Sequence, residues 1–75
     1  MVALPTVSGR QARAAFERLG WSHLRHHGSH MIMTKPGQRA VLSIPDQRSL
    51  GRGLLRSLIR DAEITVEDFI EALRR

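Results

Sequence analysis

Two helix-start signals, one near each end, do most to narrow what this chain can fold into. Ser8 with Gln11 three residues on, and Thr65 with Asp68 three residues on, read as capping boxes, in which each side chain covers the other residue's exposed backbone N–H. Behind the first box, Ala12, Ala15, Phe16 and Leu19 fall at i, i+3, i+4 and i+7. This predicts a helix from about Gly9 to Leu19, ended by Gly20 in the left-handed conformation. Behind the second, Val66, Phe69, Ile70 and Leu73 repeat the spacing on a last short helix, with Arg74 and Arg75 where the helix dipole favours cations. Upstream of it, Leu54, Leu55, Leu58 and Ile59 predict one more helix, with Arg52, Arg56 and Arg60 one turn apart on another side.

Between these helices the period changes. Trp21 to His26 has no helical stripe and reads as a strand anchored by Trp21, after which His27 and Gly28 turn the chain. Ser29 to Thr34 alternates, with His30, Ile32 and Thr34 on one side and Met31 and Met33 on the other. Lys35-Pro36-Gly37-Gln38 carries proline second and glycine third, the signature of a type II turn. Arg39 to Ile44 then predicts a third strand with Ala40, Leu42 and Ile44 on one face. Pro45 stops it, and Asp46 to Gly53 is a polar connector. The predicted class is α+β: helix, three-stranded antiparallel meander, helix, short C-terminal helix. Both ends pack on one sheet face and leave the other open to a partner.

Residues 1–75 are expected to form a single domain, a size at which a core contributes only about 3–5 kcal/mol of net stability. With no cysteine, neither disulfides nor thiolate metal sites can reinforce it. No apolar run approaches the roughly 18–20 residues of a membrane span, and Met1 to Thr6 is too short for a signal peptide, so a cytoplasmic location is expected.

Twelve Lys and Arg stand against seven Asp and Glu, for a formal net charge of +5, and eleven of the twelve are arginine. Arginine suits two-pronged contact with phosphate, so a polyanion such as nucleic acid is the expected partner, against the plainer reading of an arginine-rich soluble domain. Five of the seven acids lie between Asp61 and Glu71, leaving the basic character to the first sixty residues.

The candidate chemistry centres on Gly28-Ser29-His30. Glycine gives a tight turn, serine a small donor, and a histidine opening a strand is held by the ladder near the sheet's rim. Gly-Ser-His-Met is also a common remnant of a removed affinity tag, but 27 residues with their own helical stripe precede it. The plain alternative is a strand histidine with one nitrogen satisfied by backbone. His23, His26, His27 and His30 suggest a metal, yet on a strand residues three apart point to opposite faces and no carboxylate or thiolate lies close in sequence. No metal or other cofactor is therefore expected. Neither nucleotide-binding loops nor Ser or Cys nucleophile motifs occur. A histidine among arginines is nonetheless enough for RNA cleavage. The 2′-OH is a nucleophile already tethered beside the phosphate, histidine moves the proton, and cations steady the growing charge.

The chain resembles the HicA-type toxins, the mRNA interferases of HicA–HicB toxin-antitoxin pairs. The likeness spans Val7-Ser8-Gly9 into an amphipathic helix, Leu19-Gly20-Trp21, Arg25 before Gly28-Ser29-His30, Ile44-Pro45, and Gly53-Leu54-Leu55-Arg56-Ser57-Leu58-Ile59-Arg60. The resemblance implies a double-stranded-RNA-binding-domain-like fold and an endoribonuclease that cuts mRNA with His30. It also implies a HicB-type antitoxin that covers the site. Gly28 and Ser29 would shape the seat of His30, while Arg25 and Lys35 would contact phosphate. Two positions depart from the family: Gln47, where a second histidine often stands, and Leu54, where a threonine often does. The alternatives are a non-catalytic RNA- or DNA-binding module and an inactive adaptor that only binds an antitoxin.

Overall fold

The computed structural model describes residues 3–75, so Met1 and Val2 of the expected domain lie outside the described residues. Its elements are α1 (Gly9–Arg18), β1 (Ser22–His27), β2 (His30–Thr34), β3 (Leu42–Pro45), α2 (Arg52–Asp61) and α3 (Val66–Leu73). This is the α+β order expected from the stripes.

Both capping boxes form. Ser8 Oγ accepts from the Gln11 N–H at 3.0 Å while Gln11 Oε1 accepts from the Ser8 N–H at 2.8 Å. Thr65 Oγ1 accepts from the Asp68 N–H at 3.0 Å and Asp68 Oδ2 from the Thr65 N–H at 3.2 Å. At the end of α1, Gly20 adopts φ 99°, and the N–H groups of Gly20 and Trp21 donate back to the carbonyls of Glu17 and Phe16, the double closure of a Schellman motif. The end of α2 closes the same way through Glu63 at φ 59°, with Glu63 bonding Arg60 and Ile64 bonding Ile59.

The sheet is antiparallel in the order β1-β2-β3. Its helix-side face carries Met31, Met33, Leu42 and Ile44, all fully buried beneath α1 and α2. Phe16 of α1 meets Phe69 of α3 with ring centroids 5.2 Å apart at 49°, a tilted aromatic pair at the centre of the helical layer. Each such side chain contributes about 1.5–3 kcal/mol by leaving water, which is how a chain without disulfides holds together. Arg18 ties the two helices further, Nη1 donating to the Ala72 carbonyl at 2.9 Å.

Several boundaries differ from expectation for physical reasons. The first hairpin turns on Gly28 and Ser29, so His27 belongs to β1 and Ser29 to the turn. β3 begins at Leu42 rather than Arg39: Met33 pairs with Leu42, and the chain from Lys35 to Val41 is spent on the connection. The turn within it is the expected one, closed by the Gln38 N–H to the Lys35 carbonyl at 3.1 Å. Pro45 is the last residue of β3, buried on an edge strand where its missing N–H costs nothing. Leu54 is not part of the core stripe of α2: it is 38% exposed, and Leu55, Leu58 and Ile59 face inward. Leu4, Val7 and Leu50 are buried in irregular segments, where no periodicity marks them, and the Leu50 N–H donates to the Val7 carbonyl at 2.8 Å.

Candidate active site

The open face of the sheet follows from the register. Residues directly opposite in an antiparallel ladder project from the same face, and Met31 and Met33 point to the helices. His30, Ile32 and Thr34 therefore project the other way, accompanied by His27, Arg25 and Ser22 from β1 and by Ser43 from β3.

His30 opens β2 at the rim of this face. It is paired on one side with His27 and on the other with Pro45. The two-residue loop between His27 and His30 has Gly28 at φ 63° and Ser29 at negative φ, the pattern of a type II′ hairpin turn, which calls for glycine in its first central position. A side chain at Gly28 would find open space but a conformation that L-residues rarely adopt. The Ser29 carbonyl accepts from the Asp46 N–H at 2.8 Å, pinning the turn to the end of β3. Gly28 and Ser29 thus form the two-residue turn that leads directly into His30. Among the described residues the His30 ring takes up no hydrogen bond, and it is exposed to solvent.

Arg25 sits opposite Ile32, so it shares this face with His27 and His30, and it is exposed. Lys35 is not brought to them. It lies beyond the far end of β2, about 16 Å along the strand from His30 at a strand's usual rise. Its Nζ donates to the Leu19 carbonyl at 3.0 Å, capping the C-terminus of α1. The arginines of α1 are also engaged within the chain. Arg10 holds Asp46 with Nε and Nη2 at 3.2 and 3.1 Å, and Arg13 pairs with Glu17 at 3.5 Å. The Arg10 hydrogen bond holds the Asp46 carboxyl below the usual carboxylate range, helped by the charges of Arg10, His26 and Arg13 and opposed by partial burial.

Strand alternation fails for the histidine cluster at one point. The ladder pairs His23 with Met33 but Arg25 with Ile32, so Leu24 is an extra, bulged residue. The bulge brings His23 and His26 onto the same, helix-side face, their rings 4.9 Å apart and edge to face. Burial lowers the pKa of His23 first, then the charges of Arg13 and His26, while Glu17 opposes them. The four histidines are thus two pairs on opposite faces of the sheet. No set of three or more His, Cys, Asp or Glu suited to a metal gathers among the described residues. Gln47, which departs from the histidine often found there in the family, takes part through its backbone: its main-chain carbonyl accepts from the Gly9 N–H at 2.8 Å.

From the first residue of α1 to Ile64 just past α2, the chain matches a family model described as the HicA toxin of bacterial toxin-antitoxin systems, over residues 9–64. The chain belongs to the HicA toxin family. As a HicA-family member it is the toxin of a toxin-antitoxin pair, and an antitoxin is its implied partner. No curated protein matches this HicA-family chain. The matched segment contains the whole sheet, the Gly28-Ser29-His30 turn and the open face, whereas α3 lies beyond it. None of the described helices is long and apolar enough to cross a membrane.

Proposed function

We propose that this toxin is an endoribonuclease that cleaves mRNA and thereby blocks translation, with His30 moving the proton and Arg25 holding phosphate. The observation that carries this reading is the placement of His30. It is an exposed imidazole without a protein partner among the described residues, fixed at the rim of an open sheet face beside an exposed arginine. In such cleavage the ribose 2′-OH is the nucleophile, so the protein need supply neither a nucleophile nor a metal. A positioned imidazole contributes about 10²- to 10⁴-fold by proton transfer, and a guanidinium steadies the charge growing on the phosphate.

In this reading residues 1–75 act as one toxin unit in the cytoplasm, and a HicB-type antitoxin silences it by covering the open face. The test is incubation of single-stranded RNA with purified toxin and a chelator. Cleavage is expected to proceed. Intact RNA retained in a salt-sensitive manner would instead identify a non-catalytic binding module, because each phosphate contact steepens the salt dependence.

A further inference from the structure

One imidazole cannot accept a proton from the 2′-oxygen and deliver one to the leaving 5′-oxygen at the same instant. We propose that His27 is the second catalytic imidazole, acting with His30 across the hairpin turn; this rests on the ribonuclease reading above. His27 and His30 form the last rung of the β1–β2 ladder, and both are exposed. Directly opposed antiparallel residues project from one face with Cβ atoms about 4.5–5.5 Å apart, so the two side chains rise from neighbouring points of that face, within reach of a single phosphodiester. The two-residue turn fixes this register, since a slip of one residue would send one ring to the opposite face. His26, one residue away, cannot substitute: it pairs with Met31 and lies on the helix side, against His23.

The step balances within this pair. One ring removes the 2′-OH proton as the 2′-oxygen–phosphorus bond forms. The other gives a proton to the 5′-oxygen as the phosphorus–5′-oxygen bond breaks, leaving a 2′,3′-cyclic phosphate and a 5′-hydroxyl. The net result moves one proton from ring to ring, and solvent restores it. Imidazole is suited to this because near neutral pH it exists in both forms. The other groups around the pair are few. Arg25 is the charged residue sharing their face on β1, β2 adds Ile32, and β3 adds Ser43 and Pro45. Beyond β3, the Asp46 carboxylate is already bound by Arg10.

The experiment is the pH dependence of RNA cleavage by wild type, His27→Ala and His26→Ala, each shown by circular dichroism to be folded. Wild type is expected to give a bell-shaped profile. His27→Ala is expected to lose about 10²- to 10⁴-fold in rate and one limb of the bell, and His26→Ala to keep both limbs. A His27→Ala protein with the wild-type rate and an intact bell would overturn the inference while leaving the nuclease reading standing. So would His26→Ala losing the limb in its place. A wild-type protein that leaves RNA uncut would instead overturn the nuclease reading itself.

Discussion

Gly9 and Pro45 touch so closely that a Cβ on Gly9 would overlap the Pro45 carbonyl oxygen. The first residue of α1 is thereby pressed onto the last residue of β3, which is itself the ladder partner of His30. The Gly9 N–H donates to the Gln47 carbonyl at 2.8 Å and strengthens the same junction. In an open helix, alanine in place of glycine is favourable by up to about 1 kcal/mol. Here the clash is with backbone, which cannot swing aside, so the sign reverses. Gly9→Ala is expected to lose about 1–3 kcal/mol in chemical denaturation. An equal or greater stability would mean that α1 does not start against Pro45.

Lys35 binds the C-terminal carbonyl of α1, with its side chain lying across Gly20. A cation at that end of a helix is worth about 0.3–1 kcal/mol. Lys35→Met is expected to lower stability by that amount and to leave RNA cleavage by the folded protein unchanged. A specific loss of cleavage at full stability would instead give Lys35 the phosphate-binding role that the resemblance implies.

His23 titrates below the ordinary imidazole range because burial, then Arg13 and His26, disfavour its charged form. The unfolded chain therefore takes up this proton first as pH falls. The stability contributed by neutral His23 is fully present above the ordinary value of about 6.5. It is lost as pH drops from there to the depressed folded value. Denaturation midpoints are expected to fall as pH drops below about 6.5, with a smaller fall for His23→Phe. Identical slopes in the two proteins would contradict the assignment.

The helices were legible because their signals are local. The two capping boxes, the stripe Ala12-Ala15-Phe16 and the stripe Leu55-Leu58-Ile59 all act within a few residues of themselves, as does the type II turn at Lys35. The alternation His30-Met31-Ile32-Met33-Thr34 likewise gave the correct buried side of β2. What the sequence hid depends on pairing between distant segments. The bulge at Leu24 is defined by which β2 residue faces which β1 residue, and it alone puts His23 beside His26. The late start of β3 and the two-residue turn that makes His27 the partner of His30 are register facts of the same kind. The bond from Lys35 to the α1 terminus is hidden for the same reason, since nothing local shows that the two come together.

In the proposed function the exposed imidazole of His30 performs RNA cleavage. Its most direct test compares wild type with His30→Ala for cleavage of single-stranded RNA and for growth arrest on expression, with circular dichroism to show both are folded. Wild type is expected to cut RNA and arrest growth, and His30→Ala to do neither while keeping the wild-type fold. A folded His30→Ala protein that still cuts RNA at the wild-type rate would contradict the account.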